Sequence, residues 1–207
     1  MYQLINTKVQ SVLAAIPQTH VTEYDWLIQN LNQCAQPQYQ ARYKTFWRLG
    51  AARLSEGYCN VYFKKLHAAQ ANPPNLADLA QQLYATPTHN NGRRGLQYSF
   101  ASKLFHSVQP TSPIYDSQVA AFYFFGESQR NAPIRTRIEY LTRFHSFLAE
   151  EYGRIIQQGL LAKPIESFRE NFNPQCFTDQ KIIDSLLWAF VSLLQEGGLS
   201  NGWIAYR

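Results

Sequence analysis

Charged side chains are scarce in this chain of 207 residues. Asp, Glu, Lys and Arg make up 16% of it, whereas a soluble globular protein usually has about a quarter. The 19 basic residues outnumber the 14 acidic ones, so the formal net charge is +5. Such an excess suits an anionic partner, nucleic acid or phosphate, and many soluble proteins without such a partner carry it too. On a surface with so few charges, a cluster of cations is informative.

Cysteine motifs and long hydrophobic runs are absent from the sequence. The three cysteines, Cys34, Cys59 and Cys176, form no C-x-x-C pair and no iron–sulfur spacing. An odd number of such cysteines fits a reducing compartment. No run approaches 18 apolar residues, and the apolar VLAAI near the start is too short for the core of a secretory signal. We therefore expect a cytoplasmic protein without a membrane span, a metal or a cofactor.

Apolar side chains are plentiful and follow a helical period. Hydrophobic residues make up 45% of the chain, which is enough for a packed core. They recur at three- and four-residue spacing, and we find no convincing strand pattern. The sequence therefore predicts an all-α protein, a single globular helical domain over residues 1–207. The predicted helices span 5–16, 21–33 with Thr22 as cap, a segment ending near Leu54, 55–66, 75–84 capped by Asn75, a short helix around Lys103, one opened by Asp116, 134–161 and 178–194.

The basic residues between positions 42 and 65 alternate with aromatic ones. The cations of this segment are Arg42, Lys44, Arg48, Arg53, Lys64 and Lys65. The interleaved rings include Tyr43, Phe46, Trp47, Tyr58, Tyr62 and Phe63. Cations mixed with aromatics are typical of surfaces that bind phosphates and stack on bases. The alternative is that the rings belong to the core and the cations to the solvated side of amphipathic helices.

A second basic stretch, the loop TPTHNNGRRG, has no acidic neighbour. The chain contains no Asp or Glu between Leu79 and Tyr115, and this loop carries Arg93 and Arg94. Two guanidinium groups with the backbone amides of a flexible loop can bind a phosphate. The same composition also suits an ordinary solvated loop.

Lys103 and Asp116 stand on either side of the turn PTSP. Positions three and four residues from Lys103 hold no carboxylate, and the flank is apolar. An apolar environment and the positive end of a helix both lower the pKa of an amine, as an amine nucleophile requires. Asp116 is a favoured residue for a helix N-cap, a role compatible with that of a catalytic carboxylate.

These residues resemble those of the helix-hairpin-helix DNA glycosylases. ASK at 101–103 is similar to their lysine segment, and PIYDSQV at 113–119 is similar to the proline–aliphatic–aspartate segment that follows. The stretches FWRLGAARLSEGYCNVYFKKL and KIIDSLLW are similar to a bacterial group described as 8-oxoguanine DNA glycosylase-like. The chain departs from the superfamily at 98–101, where Tyr-Ser-Phe-Ala replaces Gly-Val-Gly, and in its shorter spacing between lysine and aspartate.

The resemblance implies a DNA repair enzyme that excises an oxidised purine such as 8-oxoguanine and then nicks the strand. It implies Lys103 as nucleophile, Asp116 as the carboxylate that stabilises the developing positive charge, and DNA contacts by Ser99 and Ser102 beside those of the arginine loop. His106, next along the lysine helix, could assist proton transfer, although a lone histidine is more often a packed or solvated bystander. The alternative is a catalytically silent helical module, binding DNA or another partner, on the same scaffold. The sequence carries no signal for an oligomeric state.

Overall fold

Helices account for most of the chain. The computed structural model describes residues 1–126 and 131–197, and these ranges contain eleven α-helices, two short 3-10 turns and no strand. The protein is therefore all-α, as predicted. The helices are α1 (Tyr2–Thr7), α2 (Val9–Ala14), α3 (Gln18–Gln29), α4 (Pro37–Phe46), α5 (Glu56–Ala71), α6 (Leu76–Tyr84), α7 (Tyr98–Val108), α8 (Ser117–Phe122), α9 (Ile134–Gln157), α10 (Ala162–Phe172) and α11 (Asp179–Gln195).

Three predicted helix starts are confirmed by side-chain caps. Ser55 Oγ accepts a hydrogen bond from the Tyr58 amide at the start of α5. Asn75 Oδ1 accepts from the Ala77 amide at the start of α6. Thr178 Oγ1 opens α11 in the same way. Each cap satisfies an amide that the first turn of a helix leaves unbonded, which fixes where the helix begins.

Two helix predictions near the start of the chain are wrong. Thr22 is not a cap, because α3 begins four residues earlier, after Pro17, and the Thr22 hydroxyl donates back to carbonyls of its own helix. The predicted helix over 5–16 is two helices, since the backbone leaves the helical region at Lys8 (φ −106°, ψ 22°).

The predicted helix ending near Leu54 stops earlier, at Phe46. The amide of Leu49 donates to the Lys44 carbonyl (2.9 Å) and that of Arg48 to the Thr45 carbonyl (3.2 Å). These two bonds form a Schellman motif, which closes a helix with one residue in the left-handed region. That residue is Arg48 (φ 56°), and a 3-10 turn over Gly50–Ala52 follows.

The segment after residue 134 also differs from the prediction. The helix ends at Gln157, where Gly159 takes a left-handed conformation (φ 62°), and a separate helix that we did not predict, α10, follows. The predicted loop FGESQRNAP lies partly outside the described residues. Gly198, predicted with Gly197 to end the last helix, also lies outside them.

The core consists of two adjoining hydrophobic clusters within one compact domain. The first cluster joins α1, α2, α8, α10 and α11, and the second joins α3 to α7. Helix α9 belongs to both, with Ile138 and Leu141 in the second cluster and Leu148 and Tyr152 in the first. No helix in the described ranges is long and apolar enough to cross a membrane. All three cysteines are free.

Candidate functional site

A cleft of about 320 Å³ opens where the two hydrophobic clusters meet. Its walls come from the ends of α2 and α4, the start of α3, the middle of α7, the start of α8 and one face of α11. Charged groups from distant parts of the sequence converge there: Arg48, Lys103, Asp116, Lys181 and Asp184. Both residues predicted as catalytic are among them.

Lys103 presents its amine to this cleft without a charged partner in contact. Its Nζ lies 5.2 Å from the ring centroid of Phe100 and 5.7 Å from that of Trp47. Among residues 1–126 and 131–197, no side chain forms a hydrogen bond or ion pair with this amine. Burial is the main cause that lowers the pKa of Lys103, and the charges of Lys181 and Arg48 lower it further, against the opposing effect of Asp116 and Asp184.

Asp116 is fixed at the mouth of α8. Its Oδ1 accepts a hydrogen bond from the Gln118 amide (2.9 Å), so Asp116 is the N-cap, as predicted. The turn before it is tied to α7, because the Tyr115 amide donates to Ser102 Oγ (3.0 Å). His106 adds a second tie, its Nδ1 lying 2.6 Å from the Ser112 carbonyl. These bonds hold the carboxylate and the lysine helix in one arrangement.

Sequence analysis did not assign a role to a second charged pair in the cleft, Lys181 and Asp184. Lys181 is 3% exposed, and its Nζ donates to Asp184 Oδ2 (3.0 Å) while lying over the rings of Tyr24 and Trp47. Asp184 Oδ1 is buried without a hydrogen-bond partner in the described part of the chain. Burial is the main cause that raises the pKa of Asp184. One lysine and one aspartate a turn apart in the apolar run KIIDSLLW were the available signal.

Aromatic rings form much of the remaining lining. Phe46, Trp47 and Trp188 line the cleft together with His20, whose ring stacks on Phe46 at 4.6 Å. Burial, aided by the charges of Lys181 and Arg48, lowers the pKa of His20 to about 3, so this ring is neutral at pH 7. Flat rings beside cations suit a planar, polar ligand.

The aromatic residues of the 42–65 segment divide between core and cleft. Tyr43, Tyr58 and Tyr62 are completely buried in the second cluster, as the core interpretation predicts. Phe46 and Trp47 line the cleft, and Trp47 also belongs to the second cluster. The core interpretation is therefore confirmed for the three tyrosines and Trp47, and stacking on bases stays a prediction.

The other predicted site residues do not line the cleft. Arg93 and Arg94 are exposed on the loop over residues 85–97. Ser99 is half-buried, and its carbonyl accepts a hydrogen bond from Ser102. Ser102 is completely buried and joins α7 to the following turn. The structure therefore gives Ser102 a positioning function, and its hydroxyl does not face solvent.

His106 is buried and belongs to the core. Its Nδ1–H donates to the Ser112 carbonyl, so Nε2 accepts the hydrogen bond from the Tyr24 hydroxyl (2.7 Å). Burial is the main cause that lowers the pKa of His106 to about 3. A neutral, buried ring with a hydrogen bond at each nitrogen is what a packed bystander should show.

No family model, curated protein or solved structure matches the chain. No group of three or more His, Cys, Asp or Glu side chains that could hold a metal ion occurs in the described ranges.

Proposed function

We propose that the protein is a DNA glycosylase with lyase activity that excises an oxidised purine, such as 8-oxoguanine, through a Schiff base on Lys103. The observation that carries this proposal is the amine of Lys103, which faces the cleft and has a lowered pKa. No carboxylate in the described part of the chain forms a hydrogen bond or ion pair with it. An amine nucleophile needs its neutral form, and burial beside other cations favours that form.

The size and lining of the cleft support a single flipped nucleotide as the ligand. Its volume of about 320 Å³ lies at the lower end of the range for small-molecule sites. Enzymes that act on a base take it out of the helical stack and hold it between aromatic or apolar side chains. Trp47 and Trp188 supply such surfaces, while Arg48 supplies a positive charge for the adjoining phosphate.

In the proposed reaction the Lys103 amine attacks the sugar carbon C1′. The bond from C1′ to the base breaks with its electron pair on the base, which takes up a proton, and the amine loses one. Opening of the sugar ring then leaves an iminium between Nζ and C1′. Loss of a C2′ proton expels the 3′ phosphate and nicks the strand, and water releases the lysine.

Asp116 would act on the first step by electrostatics. Its carboxylate, held by the cap hydrogen bond, lines the cleft beside Lys103 and opposes the positive charge that develops on the sugar. The proposal also assigns the chain to the helix-hairpin-helix glycosylase fold, with α6 and α7 as the helices on either side of the hairpin. The connection between them covers residues 85–97, including the arginine loop.

A catalytically silent DNA-binding module is the second candidate. It is favoured by the segment 98–101, where the residues Tyr-Ser-Phe-Ala lie in the first turn of α7 in place of the glycines of the superfamily hairpin. Glycines in such a hairpin allow the close approach of backbone to phosphate. The two candidates differ in whether Lys103 performs chemistry.

Release of the base distinguishes these candidates. A duplex with a single 8-oxoguanine is incubated with excess protein, and the free base is measured by chromatography. We expect release by the wild type and by Lys163→Gln, an exposed control on α10, and none by Lys103→Gln. No release by a wild-type protein that binds the same duplex would contradict the glycosylase and support the silent module.

A further inference from the structure

The backbone of Arg48 is unusual for an arginine. It occupies the left-handed position of the Schellman motif that ends α4, where glycine is the preferred residue. Any side chain with a Cβ is disfavoured in that conformation. A non-glycine residue at this point therefore reduces stability, and its side chain is where a compensating role should be sought.

That side chain extends into the cleft. Arg48 is exposed, lines the same opening as Lys103 and Asp116, and pairs with no carboxylate among the residues that the structure describes. Several other cations are neutralised, as the ion pairs Arg42–Glu23 and Arg154–Glu151 show. The Arg48 guanidinium is thus available to an anion outside the protein.

A second opening lies between α4 and α5. Lys44, four residues before Arg48 in the sequence, lies near it, because its Nζ is 5.6 Å from the ring centroid of Phe63. Phe63 lines an open groove of about 460 Å³ together with Gln40, Asn60, Lys64 and His67. Lys44 is therefore close to Arg48 in the sequence and close in space to a groove that Lys64 lines.

The charge along this face is almost entirely positive. Helix α4 contains no acidic residue, and α5 contains one, Glu56, in its first turn and two turns from Lys64. Within the described ranges neither Lys44 nor Lys64 forms an ion pair. Unpaired cations beside amide side chains match the phosphates and sugars of a nucleic-acid backbone.

We infer that duplex DNA runs along this face, with Lys44 and Lys64 on the backbone phosphates and Arg48 on the phosphate of the nucleotide that enters the cleft. The inference rests on the proposed function, because it takes the cleft as the site of the flipped nucleotide. These phosphate contacts would bind DNA without the glycine hairpin of the superfamily.

Binding of the full chain to a duplex with a stable abasic-site analogue tests this surface. Fluorescence anisotropy is measured from about 50 to 200 mM salt. Log affinity falls with log salt, and each lost phosphate contact makes this negative slope shallower by about one. The variants are Arg48→Gly and the double variant Lys44→Gln/Lys64→Gln. The controls are Arg53→Gly, an exposed left-handed arginine that lines neither opening, and Lys163→Gln.

We expect Arg48→Gly to bind at least about fivefold more weakly and to melt at a higher temperature, because the arginine is kept at a cost in stability. Arg53→Gly should show the higher melting temperature with unchanged binding. The double lysine variant should lose about two units of salt slope, and Lys163→Gln none.

Wild-type affinity in Arg48→Gly, an unchanged slope in the lysine variant or equal losses in the controls would overturn the inference. A failure of the proposed function looks different. In that case the salt and variant effects persist, but the wild-type protein releases no base.

Discussion

At the scale of single residues, the cleft contains two lysines in different electrostatic states. Lys181 donates to Asp184 at 3.0 Å, whereas the described structure shows no hydrogen-bonded partner for Lys103. An amine that donates a hydrogen bond to a carboxylate is less available to attack carbon than one without such a partner. The contrast supports Lys103 as the nucleophile, and Lys181 is one of the charges that lower the pKa of Lys103.

The lowered pKa of Lys103 predicts a pH dependence for the proposed chemistry. Single-turnover base release should rise with pH as the ammonium loses its proton, and the midpoint should lie below 10.5, the ordinary value for a lysine. Replacement of Lys103 by Gln should abolish both the activity and the profile. A midpoint at or above the ordinary value would contradict a buried nucleophile.

The lowered pKa of His106 predicts that the protein loses stability in acid. Its folded pKa is about 3 against an ordinary 6.5, so the unfolded chain binds the proton more readily. The stabilising contribution is complete above pH 6.5 and decreases as the pH falls towards 3. At pH 4.5 the loss should be about 2–3 kcal/mol, since one pKa unit corresponds to about 1.4 kcal/mol.

Denaturant unfolding of wild type and His106→Gln between pH 7.5 and 4.5 measures this loss. The variant should be less stable at pH 7.5 by about 1–3 kcal/mol, because a buried hydrogen-bonded side chain is replaced, and its stability should fall less on acidification. Equal pH dependence in the two proteins would show that His106 does not titrate on unfolding.

Which residues line the cleft could be predicted from the sequence only where the local context singles them out. Lys103 lacks nearby carboxylates along its own helix, and Asp116 follows a turn that ends in a strong cap position, so both could be singled out. Arg48 and Lys181 reach the same cleft from the turn after α4 and from α11, which are far apart in the sequence. No short-range pattern encodes such an encounter.

At the scale of secondary-structure elements, α8 gives Asp116 two separable functions. The carboxylate caps the helix through the Gln118 amide and also lines the cleft. The cap requires only an acceptor oxygen, which an asparagine also supplies, whereas the electrostatic function requires the charge.

Substitution of Asp116 can therefore separate stability from chemistry. Asp116→Asn should change the free energy of unfolding by less than about 0.5 kcal/mol, and Asp116→Ala should lower it by about 1 kcal/mol. Both variants should release base much more slowly than wild type. Wild-type rates in Asp116→Asn would remove the charge from the mechanism.

Residue type predicted some helix starts and not others. Asn75 and Thr178 are caps, whereas Thr22 is not, because α3 already begins after Pro17. The end of a helix was unpredictable where it falls on an atypical residue. The end of α4 is held by Arg48 in a conformation typical of glycine, so the sequence suggested a longer helix. Helix α10 was not predicted, although Ile165, Phe168 and Phe172 have helical spacing. Pro164 lies in its first turn, where proline is tolerated.

At the scale of the whole molecule, α9 connects the two hydrophobic clusters that flank the cleft. Its first half packs in the second cluster and its second half in the first. The geometry between Lys103 and Lys181 depends on this connection, because α7 belongs to one cluster and α11 to the other. A cleft at such a junction is rigid only if both clusters fold together.

We therefore expect a single cooperative unfolding transition. Helix content by circular dichroism and tryptophan fluorescence should give coincident denaturant curves, because Trp47 lies in one cluster and Trp188 packs against the other. Two separated transitions would show that the clusters fold independently and that the cleft is a hinge.

Borohydride trapping is the most direct test of the central claim. Purified protein is incubated with a duplex carrying 8-oxoguanine, and borohydride reduces any imine to a stable covalent adduct. An abasic duplex serves as the comparison, since many exposed amines trap an aldehyde. We predict an adduct with the 8-oxoguanine duplex that is lost in Lys103→Gln and retained in Lys163→Gln. The absence of any adduct while the protein still binds the duplex, or an adduct that persists in Lys103→Gln, would contradict the account.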